Sequence, residues 1–386
     1  MRILHTSDWH AGRIWKGVRR IDELARALDG VLAYVERERI DLVLITGDLF
    51  DSTAPPADAE QLVFRFLERL GALRVPSVVI AGNHDHPARV DAWGRLAILA
   101  GVRTLGRPRG PDKGGVVEID TPNGRACVAM LPFAHPRYMV ASDVLVGDDT
   151  KAAQTYAERF EEMVTLLCSR FRADTVNLLC AHAHMEGVTI GGTERRVHIG
   201  SEWAATAQAL PTSAHYVALG HIHKPQPVPG APQAEYAGSP MQMDFGEMGE
   251  DKSFVVIDAV PGRPAKRTRV PYEGTRRLVE LRGALDEVLA QAALLQADQQ
   301  WVRVVIDHPH ADPDIARRVR TAVAGVVSVE VHTPKNPKVK GLTANLATLS
   351  PREVYSEWKT EASGGLSPEA ALLDAFDELY TSCGGV

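Results

Sequence analysis

The side chains of this chain that can do metal or acid–base chemistry fall at five stations. In order they read D-x-H, G-D-x-x-D, G-N-H-D, a lone histidine and G-H-x-H. Asp8 and His10 close the run "MRILHTSD", and Asp48 follows Gly47 in "LITGDLFD". Asn83 and His84 follow Gly82 in "VVIAGNHD", His182 ends "LLCAH", and His221 and His223 follow Gly220 in "VALGHIH". Any one of these reads equally well as a turn or helix-capping residue. Five in series, offering oxygen and imidazole but no thiolate, point to divalent cations. A two-metal hydrolytic site needs about seven or eight ligand contacts and a bridging carboxylate, with the ions about 3.5–4 Å apart. Asp8, His10, Asp48, Asn83, His182, His221 and His223 supply such a set, with Asp48 able to bridge. Such ligands suit manganese, iron or zinc.

The elements around these stations must bring them to one place. Strand side chains share a face every second residue, so Asp8 and His10 are expected to converge past the carboxyl end of the first strand. Ligands bind at that end of open α/β sheets. The helical stripe Ile21, Leu24, Leu28, Val31, Leu32, Val35 follows, then the strand run "DLVLITGD" and the helix "ADAEQLVFRFLERLGAL". With the strand "PSVVIAGNHD" this makes a βαβαβ pattern, which implies a layered sheet with crossover helices. Later strands are "ACVAMLPF", "TVNLLCAH", "HYVALGHIH" and "KSFVVIDAV". Gly47, Gly82 and Gly220, each just before a polar group, are expected to let the backbone turn sharply there.

Composition bounds the rest. The 386 residues, 45% hydrophobic and 24% charged, describe a folded chain of two or three domains. The net charge of −6 excludes a protein that coats nucleic acid through bulk charge, although bound cations would offset a carboxylate cluster. Cys127, Cys168, Cys180 and Cys383 show no C-x-x-C spacing, which fits a reducing compartment. With no apolar run of membrane length and no basic-then-apolar leader, a cytoplasmic, nucleoid-associated protein is expected.

Taken together, "TSDWHAGR", "GDLFDSTAPP", "AGNHDHPAR", "ALGHIHKPQ" and "YAGSPMQMDFGE" resemble the calcineurin-like metallophosphoesterase superfamily. Within it they are similar to the bacterial double-strand-break repair nuclease family. The resemblance implies an α/β fold: a four-layer core of two β-sheets flanked by helices, a small α+β capping domain and a C-terminal helical segment. It puts Asp8, His10, Asp48 and His223 around one ion and Asp48, Asn83, His182 and His221 around the other. His182 is preferred to His184 for its spacing to Gly187 and the later "IGS". The family's usual activator is Mn²⁺. His84 matches the histidine that orients phosphate and protonates the leaving oxygen, and Asp85 could hold its ring in one tautomer, with capping of the next turn as the alternative. Asp51 stands where archaeal relatives carry a histidine that helps position DNA. Serine/threonine phosphatases of this fold carry G-D-x-x-D-R-G and G-N-H-E, whereas Ser52, Thr53 and Asp85 stand here. The remaining alternatives are a small-phosphodiester hydrolase and a scaffold subunit with a vestigial site.

The resemblance thus implies a Mn-dependent nuclease, a 3′–5′ double-strand exonuclease and single-strand or hairpin endonuclease, acting in repair and recombination. Its expected partners are DNA and an SbcC-type, SMC-like ATPase. A homodimer is expected through helices near 58–70 (Leu62, Val63, Phe66, Leu70) and 91–100 (Trp93, Leu96, Ile98, Leu99). Arg13, Lys16, Arg19 and Arg20 are candidate phosphate contacts beside the first station. Three domains are expected: 1–262 the nuclease domain, 263–340 the capping domain and 341–386 a linker with two helices. The stretch "PGRPAKRTRVPYEGTRR" marks the first break, and its Lys266, Arg267 and Arg269 are either phosphate contacts or plain surface charge. The βαβαβ unit "RRLVELRG" to "VVSVEVH" follows. Ser350 and Ser367 precede two amphipathic helices with Val354, Trp358, Leu372 and Phe376 on their apolar faces. Those faces either pack on the capping domain or dock on the ATPase.

Overall fold

In the computed structural model of the chain, residues 1–134, 156–191, 204–295, 299–308, 314–332, 349–363 and 367–382 are described. The expected "IGS" and the boundary at 340–341 lie outside them.

The chain opens with β1 (Arg2–Thr6), a hairpin of β2 (Ile14–Trp15) and β3 (Val18–Arg19), and helix α1 (Ile21–Glu38). Then come β4 (Leu42–Ile45), α2 (Ala57–Ala72), β5 (Ser77–Ile80), α3 (Pro87–Ala97) and β6 (Val102–Leu105). β1, β4, β5 and β6 run parallel in one sheet. The second sheet is built from β7 (Val116–Thr121), β8 (Gly124–Leu131) and, after α4 (Tyr156–Cys168), β9 (Val176–His182). The short pair β10 (His184–Met185) and β11 (Ala204–Ala205) sits beside it. β12 (Tyr216–Gly220), β13 (Gln226–Val228) and β14 (Ala231–Tyr236) complete that sheet, in the order β13-β14-β12-β9-β8-β7.

Period-2 alternation explains the layering. Ile3, Leu42, Leu44, Val78 and Ile80 of the first sheet meet Val128, Leu178, Cys180 and Ala218 of the second between the sheets. The intervening residues Leu4, Val43, Ile45 and Val79 face α1 and α2, and the outer face of the second sheet packs on α4. The result is helix, sheet, sheet, helix. His5 spans the two sheets, its ring nitrogens 2.8 Å from Tyr216 Oη and 2.8 Å from Thr46 Oγ1.

The chain crosses the expected break at 262 without leaving the first sheet. β15 (Ser253–Asp258) pairs antiparallel with β1, and β16 (Lys266–Pro271) pairs antiparallel with β15 as the edge strand. The proline- and arginine-rich composition that suggested a linker is that of a sheet edge, where proline and basic residues block further pairing. Arg267 and Arg269 are ion-paired there with Glu235. The βαβαβ unit begins at β17 (Arg277–Gly283), followed by α5 (Leu285–Ala292), β18 (Gln300–Asp307), α6 (Ile315–Ala322) and β19 (Val326–His332). It is a three-stranded parallel sheet, β17-β18-β19, with its own core of Val288, Val302, Val304, Ile306, Ile315 and Val319. It meets the larger unit where Leu278, Trp301 and Val327 pack on Trp15 and Phe245.

Two helices close the described chain, α7 (Pro351–Ala362) and α8 (Ala370–Ser382). Ser350 and Glu353 form a reciprocal capping box, whereas α8 starts at Ala370, beyond Ser367. Tyr355 stacks on Phe376 at 4.3 Å, and Val354, Tyr355, Trp358 and Phe376 line an open apolar hollow. The α2 residues Leu62, Val63, Phe66 and Leu70 are buried in the chain's own core, so they are not the dimer face that the resemblance implied. The exposed apolar groups of this region are Phe64, Leu96, Ile98 and Leu99. Among the described residues no helix is long and apolar enough to cross a membrane.

Candidate metal centre

All seven residues expected as ligands meet at the carboxyl ends of the central strands of both sheets. β1 ends at Thr6, so strand alternation is not what brings Asp8 and His10 together. Both lie on left-handed backbone, with φ of 52° and 47°. Asp48 (φ 49°) and His221 (φ 102°) do the same. Aspartate and histidine tolerate that region better than most residues, but each such position still costs about 1–3 kcal/mol. The loops are locked by Asp8 N–H to Gly47 O (3.0 Å), His10 N–H to Asp48 O (3.0 Å) and Ala11 N–H to Leu49 O (2.9 Å). Trp9, between the two ligands, is fully buried against Phe66 and donates to Thr6 Oγ1.

The glycines act chiefly by close approach. A Cβ on Gly82 would lie 2.1 Å from Asp48 Oδ1, and one on Gly220 would lie 2.0 Å from Thr46 O. Of Gly47, Gly82 and Gly220 only Gly47 adds a positive φ (96°), so a left-handed turn is not the common reason for these three glycines.

Asp48 is the hub. Its Oδ1 accepts from the His84 N–H (2.8 Å), and its Oδ2 lies 3.6 Å from His10 Nε2 and 3.6 Å from His182 Nε2. On one side His10 Nε2 faces His223 Nε2 at 3.1 Å, and Asp8, His10 and His223 bring one ligand atom each into mutual reach. On the other side Asn83 Oδ1 lies 3.0 Å from His182 Nε2 and 2.8 Å from His221 Nδ1. Asp8 accepts from the His221 backbone N–H and joins Asp48 and His182 in a second cluster. His184 is also buried, at 6.4 Å ring to ring from His221, but it is His182 that faces Asp48 and Asn83.

The protonation chemistry of this pocket fits cations. Burial holds the His10 imidazole down at about 4 and lowers that of His182, so both rings are neutral near pH 7. His182 Nδ1 donates to Thr46 O at 2.7 Å, which leaves Nε2 a lone pair facing oxygen. Burial raises the Asp8 carboxyl well above its ordinary value, His223 opposing and Asp48 adding to the shift. At Asp48 burial is outweighed by His182, His84 and His10, and the carboxyl is held below its ordinary value. Lone pairs and carboxylates that face one another in a dry pocket repel. Divalent cations among them turn that repulsion into coordination.

His84 stands at the rim, its ring edge-on to His10 at 4.6 Å. Its Nδ1 donates to the Asp51 carbonyl (2.8 Å), so Asp51 sets the tautomer. Asp85 does not have the role first expected of it. Its carboxylate accepts from the N–H groups of Gly82 (2.8 Å), Phe50 (3.1 Å) and Leu49 (3.3 Å), tying the second and third stations together. Burial, and then the charge of Asp48, push it up to about 7. Asp51 itself lies 3.2 Å from His10 Nδ1 and 3.2 Å from Arg13 Nη1.

The expected phosphate contacts separate. Lys16 is exposed at the turn of the β2–β3 hairpin, Arg13 is engaged by Asp51, and Arg19 pairs with Asp58. Arg20 is only 2% exposed and ion-paired with Glu23, so it is not available to DNA. Its place at the end of a basic run concealed this. Sequence reasoning missed Glu247 as well: it accepts from His223 Nδ1 at 3.3 Å and is the last residue of "YAGSPMQMDFGE", visible there only as an acid near the fifth station.

A profile of the calcineurin-like phosphoesterases matches residues 1–225, more than half of the chain, and spans every residue of this cluster from Asp8 to His223. The SbcD component of the SbcCD nuclease of Bacillus subtilis (strain 168) is 32% identical over 390 residues, 98% of this chain and 97% of that protein. The chain belongs to the SbcD branch of the calcineurin-like phosphoesterases. As such it is a phosphoesterase that depends on divalent metal ions, and the groups Asp8–His10–His223 and Asp8–Asp48–His182 could hold such ions. The SbcD components of Rhodobacter capsulatus (31% over 312 residues, 75% of this chain and 76% of that one) and Escherichia coli K12 (28% over 342 residues, 86% and 84%) are further relatives. A second profile, of the type 5 capsule protein repressor C-terminal domain, matches residues 274–358. It begins just before β17.

Proposed function

We propose that this chain is the nuclease subunit of an SbcCD-type complex, a Mn²⁺-dependent 3′–5′ double-strand exonuclease and single-strand or hairpin endonuclease. The observation that carries the reading is Asp48 Oδ2, equidistant from His10 and His182 at 3.6 Å, as a carboxylate shared by two ions would be. Asp8, His10, Asp48 and His223 would hold one ion, and Asp48, Asn83, His182 and His221 the other. When bound, such ions supply Lewis acidity to the phosphodiester and acidify water at neutral pH. The protein's own part is to orient and to move a proton. With Nδ1–H committed to Asp51 O, only Nε2 of His84 is left to face the leaving oxygen. It is the doubly protonated ring that gives its Nε2 proton to that oxygen and keeps the Nδ1 proton on Asp51 O.

DNA, an SbcC-type ATPase and a second copy of the chain are the partners of this reading, in the cytoplasm at the nucleoid. Lys16 and Arg19, both exposed on the hairpin that follows His10, would meet phosphates. The exposed apolar face of Phe64, Leu96 and Leu99 supports a homodimer, and the hollow of Val354, Trp358 and Phe376, with Leu372 nearby, supports docking on the ATPase. The test is metal-dependent cleavage of a labelled hairpin and a linear duplex, with and without the ATPase. Cleavage of both is expected. Hydrolysis of a small phosphodiester with neither DNA cut would refute the nuclease reading, and no hydrolysis at all would favour a scaffold.

A further inference from the structure

His223 is held from both ends by one pair of residues outside the ligand set. Glu247 Oε1 lies 3.3 Å from His223 Nδ1, and Lys252 Nζ donates to the His223 carbonyl at 2.8 Å. The two braces are themselves joined, Lys252 Nζ to Glu247 Oε2 at 2.7 Å. Glu247 is fully buried, and its Oε2 also accepts from the Met243 N–H at 2.9 Å. Lys252 also reaches Glu250 at 2.9 Å, so one ammonium serves two carboxylates. The carboxylate sits on a one-turn helix, Phe245–Glu247, whose N-terminal N–H is capped by Asp244 Oδ1 at 2.7 Å. Gly191 passes close by, where a Cβ would come within 3.1 Å of Glu247 Cγ.

We propose that Glu247, braced by Lys252, is the positioning residue of the centre: it fixes the tautomer and orientation of His223 so that Nε2 alone is presented to the ion shared with Asp8 and His10. Histidines that ligate metals almost always donate their second ring nitrogen to such a partner, and losing it typically costs about 10–100-fold in metal affinity or activity. At His182 the same part is played by a neutral group, the Thr46 carbonyl that holds Nδ1. The two ions would therefore differ in their supporting groups, and loss of Glu247 would act on one of them.

This inference rests on the two-metal reading, and the experiment separates the two. Mn²⁺ alone is titrated into the metal-free chain, followed by calorimetry and by the electron paramagnetic resonance of free and bound ion. Wild-type protein is expected to take up two ions. Glu247→Gln, which keeps the volume, is expected to weaken one ion by about 10–100-fold and leave the other unchanged. In a His223→Ala background the same substitution should have no further effect, since Glu247 acts through His223. A purely structural role would instead add to the His223→Ala loss. Lys252→Met leaves the His223–Glu247 contact in place and should weaken the same ion by less. Unchanged affinity in Glu247→Gln, equal weakening of both ions, or full additivity with His223→Ala would each overturn the inference while the two-metal reading stands. Uptake of fewer than two ions by the wild-type chain would overturn that reading and the inference with it.

Discussion

Arg20 and Glu23 make the sharpest test of what the first basic cluster is for. The guanidinium bonds Glu23 twice, Nε to Oε2 at 2.8 Å and Nη2 to Oε1 at 2.7 Å, and its Nη1 reaches the Gln242 carbonyl. Glu23 also accepts from the Arg276 N–H at 2.5 Å and from Trp301 Nε1 at 3.2 Å, while Gln242 Oε1 accepts from the Leu278 N–H at 2.7 Å. Arg276 and Leu278 stand at the start of the C-terminal βαβαβ unit and Trp301 on its second strand, so this buried pair is a polar attachment of that unit to the phosphoesterase core, beside the apolar one. Removing one member of a buried pair leaves an uncompensated charge and costs about 3–5 kcal/mol. Because 1.36 kcal/mol is a factor of ten, Glu23→Leu should raise the opening equilibrium of β17 and β18 by about 10²–10⁴-fold. Amide hydrogen exchange reads that opening strand by strand, which a single melting temperature in a multi-domain chain does not. Replacing both partners with apolar groups should recover most of the loss, so Arg20→Met with Glu23→Leu is expected near wild type. The same double variant decides the DNA question. Each phosphate contact contributes about −0.9 to the slope of log affinity against log salt, and a buried Arg20 contributes none. A slope made shallower by about one in the double variant would refute the structural role, as would Glu23→Leu with unaltered exchange in β17 and β18.

Four further outcomes are expected. His84→Ala should keep both metals in a Mn²⁺ titration yet lose about 10²–10⁴-fold in cleavage rate, and loss of an ion would make His84 a ligand instead. Leu99→Glu, at a position 86% exposed, should leave the fold intact and shift sedimentation to the monomer if the Phe64, Leu96, Leu99 face joins two copies. Truncation from Thr343, itself outside the described residues, should spare hydrolysis of a small phosphodiester and abolish binding to the ATPase in a pull-down. His5, buried between the sheets and held at about 3, leaves the folded chain short of a proton that the unfolded chain takes up below about 6.5, so stability should fall as pH drops from 6.5 toward 3. The share of His5 in the loss between pH 7 and pH 5 is about 2 kcal/mol, on top of that of His10 and His182, and in chelator His5→Gln should lose less than wild type by about that amount.

The order of the five stations, the alternation of strands and helices and the C-terminal βαβαβ unit were legible because each rests on local pattern. Apolar runs ending in Asp, Asn or His say where strands stop and what stands at their ends. What the pattern could not supply was conformation and partnership. Strand alternation predicted that Asp8 and His10 converge, yet they do so on left-handed backbone beyond the strand. Arg20 looked like its neighbours Lys16 and Arg19, and only the distant Gln242, Arg276 and Trp301 turn it inward. Asp85 follows His84 directly, but its carboxylate is spent on three backbone N–H groups, and the carbonyl of Asp51 takes the role that adjacency suggested for it. Glu247 lies 24 residues from His223, too far for any local rule. The expected boundary at 262 failed for a related reason, since a proline- and arginine-rich edge strand and a linker have the same composition.

The features that sequence conceals are also those that cost stability. Four non-glycine residues of the centre sit at positive φ, and two carboxylates share a dry pocket with neutral imidazoles. At about 1–3 kcal/mol for each strained residue, the backbone alone carries a burden comparable to the whole stability of a typical domain. That burden is spread over two interlocking sheets. The Asp8–Gly47 and His10–Asp48 backbone bonds knit the strained loops to each other, Trp9 pins one of them into the core, and Asp85 ties the second station to the third. A ligand that binds only this folded arrangement stabilises it in proportion to the logarithm of its concentration over its dissociation constant. Cations bound among Asp8, Asp48 and the histidines would relieve the electrostatic part of the cost directly. The pre-set geometry is then what lets them bind with little rearrangement, and the strain is the condition for side chains from separate loops to converge on one carboxylate.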